Sequence, residues 1–128
     1  MKKIIRTDNA PQAIGPYSQA VEANGFVFVS GQIPIDPKTG NIIPGAIREQ
    51  VKQVMENGKA VLAAAGCGMD RVVKATIYLR NIGDFAAVNE VYGSFFPSEP
   101  PARATVEVSR LPREVEVEID LIAVKGQP

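Results

Sequence analysis

The side chains with the most chemical capacity lie near the C-terminal end of this chain. Arg103, Thr105 and Glu107 alternate with Ala102, Ala104, Val106 and Val108. Glu116, Glu118 and Asp120 alternate with Val115, Val117, Ile119 and Leu121. An arginine presents a planar donor fork that grips a carboxylate through two parallel hydrogen bonds. A carboxyl group beside a water can orient it and pass protons. The chain has no histidine and one cysteine, Cys67. Ser-His-Asp and Cys-His triads are therefore excluded, and catalytic zinc lacks its usual ligands. One cysteine makes no internal disulfide, which fits a reducing compartment.

These residues need strands to hold them, and the pattern supplies several. Residues 3–6 read as a short strand. Residues 17–22 and 26–30 read as strands around Ala23-Asn24-Gly25, where Asn-Gly between apolar runs predicts a hairpin. Residues 31–45 form a Pro- and Gly-rich excursion. Ile47, Val51, Val54, Val61, Leu62 and Ala65 recur at helical spacing, which predicts a helix over 46–65. Gly66 and Gly68 close it, and Cys67 between them is read as structural. Residues 72–80 alternate as a strand. Asp84 is the expected N-cap of a second helix bearing Phe85, Val88, Val91, Tyr92 and Phe95, with Pro97 beyond its end. Asn89, Tyr92 and Phe95 are assigned to packing. Strands follow over 102–108 and 115–124, with a turn at Leu111-Pro112-Arg113.

The order β-β-β-α-β-α-β-β describes an α+β two-layer sandwich, one domain over 1–128, with a mixed sheet and both helices on one face. Alternation places Arg103, Thr105 and Glu107 on the face away from the helices, together with Glu116, Glu118 and Asp120. That face has two readings. It is either a wet surface of cross-strand ion pairs, or a surface that meets other subunits and leaves polar pockets between them. The pattern alone leaves both open.

Composition narrows the function classes. The 128 residues carry 14 Lys plus Arg against 14 Asp plus Glu, so no net charge draws the chain to nucleic acid or an anionic membrane. The apolar runs are too short to span a bilayer, and the start lacks a signal-peptide core. The expectation is a soluble cytoplasmic protein.

Three segments carry a resemblance. They are Ala10-Pro11-Gln12-Ala13-Ile14-Gly15-Pro16-Tyr17-Ser18-Gln19, then Ser30-Gly31-Gln32-Ile33-Pro34, then Pro101-Ala102-Arg103 through Leu111-Pro112 to Val117-Glu118-Ile119. In order and spacing, over nearly the full length, the chain resembles the Rid (YjgF-type) family and within it the RidA subgroup. That subgroup comprises 2-iminobutanoate/2-iminopropanoate deaminases. The resemblance implies a chorismate-mutase-like fold, a homotrimer, and active sites in clefts between subunits. It implies hydrolysis of reactive imines and enamines, such as 2-aminoacrylate and 2-iminobutanoate, to 2-keto acids and ammonia. No cofactor and no metal are implied.

By the same resemblance Arg103 holds the substrate carboxylate and Glu118 positions the attacking water. Tyr17 supplies a wall and a hydroxyl at the rim, and Ser30 and Gly31 line the pocket. Thr105 departs from the pattern, since many relatives carry cysteine there. The backbone carbonyl survives that change, but thiol-dependent behaviour does not carry over. Glu116 and Asp120 are read as solvated neighbours. Some relatives are associated with ribonuclease or translation-inhibitor activity, and others with ligand sensing or holdase behaviour. Those are the alternatives, weakened for RNA cleavage by the missing histidine.

Overall fold

Asn24 and Gly25 both adopt left-handed backbone, at φ 51° and 79°. That geometry makes the two-residue turn whose twist matches paired strands. It joins β2 (Ala20–Ala23) to β3 (Phe26–Gln32) in antiparallel register, with Ala23 opposite Phe26. The computed structural model describes residues 1–126, so the last two residues of the expected domain lie outside the described ones. Ahead of the hairpin, β1 (Lys3–Ile5) pairs with β2. After it come α1 (Ile47–Ala64), β4 (Val72–Leu79), α2 (Phe85–Ser94), β5 (Ala102–Glu107) and β6 (Val117–Val124). One-turn 3-10 segments precede β4, α2 and β6.

The strands form one sheet in the order β1-β2-β3-β6-β4-β5. Only β4 and β5 run parallel, joined through α2; the other pairs are antiparallel. The α+β two-layer expectation holds. Val27 and Val29 of β3, Ala75, Ile77 and Leu79 of β4, and Val117, Ile119, Leu121 and Ala123 of β6 are buried on one face. Val51, Val54, Met55, Val61 and Leu62 of α1 and Val88 and Tyr92 of α2 belong to the same core cluster. No helix among the described residues is long and apolar enough to cross a membrane.

Three expectations need correction. The second strand starts at Ala20, not at residue 17. Residues ahead of it form a loop because Gly15 adopts φ 122° and the Gln19 carboxamide replaces strand pairing. That side chain donates to the carbonyls of Thr7 at 3.0 Å and Pro11 at 2.7 Å and accepts from the Thr7 amide at 2.7 Å. Asp84 stands at the start of α2 without a capping side-chain hydrogen bond. Asn81 does the capping one turn earlier, accepting from the Gly83 amide at 2.8 Å, because a 3-10 turn over Ile82–Asp84 runs into the helix.

The third correction concerns the faces of β5. Ala75, Ile77 and Leu79 sit opposite Arg103, Thr105 and Glu107. Paired positions point to the same side of a sheet. Arg103, Thr105 and Glu107 therefore share the helix-covered side, and Ala102, Ala104 and Val106 share the open side. The reason is the position of β5 at the sheet edge. There the helix layer is thin, so the inward positions stay polar and the small apolar ones are left exposed.

Candidate active site

Glu118 lies in the middle of three acids on the open side of β6. Its neighbours both have partners. Arg80 reaches Glu116 at 4.0 Å, and the Tyr78 hydroxyl donates to Asp120 Oδ2 at 3.1 Å. Glu118 has no hydrogen-bond or ion-pair partner among the described residues. Burial pushes its carboxyl above the usual carboxylate range, and the negative charge of Asp120 adds to the rise. A half-buried carboxyl whose pKa is raised and that lacks a structural partner among the described residues is suited to proton transfer.

Gly31 is the floor under that carboxyl. A Cβ built at Gly31 would collide with Glu118 Oε2 and come within 2.8 Å of its carboxyl carbon. Glycine here admits the acid against the backbone of β3, where the pairing register with β6 shifts between Val29 and Gln32. Tyr17, Gly31, Gln32, Ile33, Arg113 and Glu118 are among the residues lining a cleft of about 410 Å³. Tyr17 is 53% exposed, so it forms a rim and is not a core residue. Ser30 is placed differently. Its hydroxyl donates to the Ser18 carbonyl at 2.6 Å and its amide to the Gln19 carbonyl at 3.0 Å. In this chain it ties the Tyr17 loop to β3.

Arg103 lies on the other face of the sheet. Its guanidinium carbon sits 5.3 Å from the centroid of Phe85 and 5.2 Å from that of Tyr92, within the range of cation–π attraction. Its Nη1 donates to Asn89 Oδ1 at 2.6 Å. That partner is neutral, and no carboxylate pairs with Arg103 among the described residues. Asn89, Tyr92, Pro100, Pro101 and Arg103 line a shallow groove. Two buried hydroxyls in this region, Tyr92 Oη and Thr105 Oγ1, lack hydrogen-bond partners among the described residues. Burial holds the Tyr92 phenol above its usual range, with Arg103 pulling the other way.

The expected site residues therefore fall into two groups. Tyr17, Gly31 and Glu118 meet at one cleft, with Ser30 behind it. Arg103 and Thr105 lie across the sheet under α2. One chain does not bring Arg103 and Glu118 together.

Several contributors lay outside the expected set. Asn89 touches Arg103 directly, where the sequence pattern predicts only packing. Phe85, Asn89 and Tyr92 follow one another by four and three residues, so they share a helix face. A lone amide in that apolar stripe was the available signal. Asn57, almost fully buried, donates to the carbonyls of Ile33 at 3.2 Å and Ile35 at 2.9 Å, which fixes the far wall of the cleft. Arg113, at φ 56°, lines the cleft and donates to the Gly40 carbonyl at 3.2 Å. Among the described residues, no three side chains of ligating type gather to hold a metal. Cys67 is buried, and burial keeps its thiol above the usual range, as fits a structural role.

Comparison with known proteins converges on one family. A family model described as Endoribonuclease L-PSP matches residues 7–125. A RutC family protein of Pyrococcus horikoshii is 56% identical over 125 residues, covering 98% of this chain and 99% of that protein. The mouse protein named 2-iminobutanoate/2-iminopropanoate deaminase is 46% identical, covering 98% of this chain and 93% of that one. The crystal structure of Escherichia coli TdcF with bound serine superposes with a TM-score of 0.92 at 45% identity, over 97% of this chain and 99% of that one.

Proposed function

The chain belongs to the Endoribonuclease L-PSP family, also called YjgF or Rid, and from that premise we propose that it hydrolyses reactive 2-imino and enamine acids to 2-keto acids and ammonia. The observation that carries this reading is the setting of Arg103. Its charge faces two aromatic rings and a neutral amide, with no acid to neutralise it among the described residues. A guanidinium so held is ready for the carboxylate of a small acid. The serine bound to TdcF is an acid of that kind, and the name of the mouse relative supplies the reaction class.

Glu118 is the proton-transfer group in this reading. Its carboxyl gives a proton to the imine nitrogen as water attacks C2, and the resulting carboxylate takes a proton from that water. The carbinolamine so formed is protonated on nitrogen by the same group. The C–N bond then breaks, ammonia leaves, and the hydroxyl proton returns to Glu118 as the keto group forms. One water is consumed, one ammonia is released, and Glu118 ends as it began.

Arg103 and Glu118 lie on opposite faces of one sheet, so the working site takes them from two copies of the chain. The homotrimer implied by the resemblance supplies such pairings, with a site at each subunit boundary. Phe26, Phe28 and Val106 are exposed on the open face, and they are the kind of surface a subunit contact covers. The reading places the protein in the cytoplasm and requires no cofactor.

The test is 2-aminoacrylate made in place from serine by a dehydratase, with pyruvate formation followed. Wild type accelerates the reaction and Arg103→Ala at equal concentration does not. No acceleration with either the serine- or the threonine-derived imine contradicts the proposal. Ribonuclease activity is the second reading, favoured by the description of the family model. The zero net charge and missing histidine weigh against it.

A further inference from the structure

On the open face, β4 and β6 set four polar side chains against one another. Glu118 sits opposite Tyr78, and Asp120 sits opposite Thr76. Tyr78 does not stay over Glu118. Its hydroxyl turns along the strand to donate to Asp120 Oδ2 at 3.1 Å. We propose that Tyr78 and Asp120 form a positioning pair for Glu118: the phenol fixes the carboxylate of Asp120 in place beside the reacting acid, two residues along the same strand face. This goes a step past the proposed hydrolysis and rests on that reading for its role in turnover.

The other charged groups around Glu118 each have a partner of their own, although the neutral carbonyl that Arg113 meets leaves its charge in place. Just before β6, Glu116 faces Arg80 at 4.0 Å. Just after β4, Arg80 also approaches Glu114 at 3.9 Å. Across the cleft, Arg113 donates to the Gly40 carbonyl. On the side of β3, Gly31 offers only backbone. From β5, the residue opposite Tyr78 is Val106, which carries no charge. Tyr17 at the rim is the one further titratable group lining the cleft. Among the described residues, Asp120 is thus the one acid near Glu118 that is held by a neutral donor and not by a cation. Its charge remains to act on its neighbour. The direction of the Glu118 shift, raised first by burial and then by Asp120, agrees with this geometry. The Tyr78 phenol is itself pushed up, by burial first and then by its bond to Asp120, so it stays a donor through the working range.

Both residues act through Glu118 and need not touch substrate. A structural role would change the amount of active protein but not the pH at which the acid titrates. The experiment therefore reads titration directly. The carboxyl carbon of Glu118 is followed by carbon-13 NMR, assigned with Glu118→Gln, in wild type, Asp120→Asn and Tyr78→Phe. Deaminase pH profiles are recorded on the same samples. Asparagine keeps the shape of Asp120 and an acceptor for the phenol while removing the charge. The expected result is a Glu118 midpoint at lower pH in Asp120→Asn and a smaller shift the same way in Tyr78→Phe. The alkaline limb of the activity should move to lower pH with it. An unmoved midpoint in Asp120→Asn overturns the proposal. Wild type that titrates as described but hydrolyses no imine would leave the pair standing and remove the proposed reaction.

Discussion

The central strand β6 and the edge strand β5 differ in how much of their role the fold dictates. Every second residue of β6 is buried and the others are half-exposed. In β5 only Thr105 is even partly buried. β6 is flanked by β3 and β4 and packs on α1. β5 has one strand neighbour and lies under the short helix α2. A fully flanked strand must satisfy the core, and its alternation says which side is inside. An edge strand is freer, and there the inward positions went to Arg103 and Thr105. The difference teaches that burial concentrates in β6, while the proposed anion-binding arginine sits on β5, where the strand buries little.

The sharpest way to break this comparison is to exchange the two effects. Arg103→Ala is expected to lower kcat/KM by about a hundredfold or more while changing unfolding stability by less than about 1 kcal/mol, checked by steady-state kinetics and urea unfolding. Ile119→Ala in β6 should do the reverse. It empties a buried position and should cost about 2–5 kcal/mol in the same unfolding experiment. A large stability loss in Arg103→Ala would show that the edge strand also carries the fold.

Asn89→Ala sharpens the account of the Arg103 seat. Without the acceptor at 2.6 Å the guanidinium keeps its charge but loses its orientation. An activity loss of about tenfold, mainly through KM, is expected from kinetics, with the oligomer unchanged. Equal kinetics would place Asn89 back among packing residues.

The smallest expected effect is one of stability, and its sign follows from the raised carboxyl of Glu118. A carboxyl whose folded pKa exceeds its unfolded value stabilises the fold below the unfolded value. That contribution is lost as pH rises through the folded pKa. Removing the charge should therefore help at alkaline pH. Glu118→Gln is expected to be more stable than wild type at alkaline pH and to lose that advantage in acid. Thermal melts across pH check it, and a variant less stable at both ends would contradict it.

Most of the fold was legible because its signals are local. Asn24-Gly25 required a two-residue turn, and the apolar stripe from Ile47 to Leu62 required a helix facing a sheet. The Tyr17 loop was misread as strand because its order comes from Gln19, whose carboxamide replaces sheet bonds at long range. The face of Arg103 was misread for a similar reason. Alternation gives two sides but does not name the covered one, and only the register with Ala75 and Ile77 decides it. Glu118 was singled out by resemblance, and the pattern alone could not separate it from Glu116 and Asp120. The separation is physical: Arg80 and Tyr78 engage the flanking acids and leave the middle one without a partner among the described residues.

The central claim is that Arg103 and Glu118 work together only across two copies of the chain. The most direct measurement is to mix Arg103→Ala and Glu118→Gln subunits, unfold and refold them together, and assay imine hydrolysis. Each variant alone should be nearly inactive. Random mixing of equal amounts gives one boundary in four both intact residues, so about a quarter of wild-type activity should return. Activity no higher than the sum of the two variants would contradict the shared site.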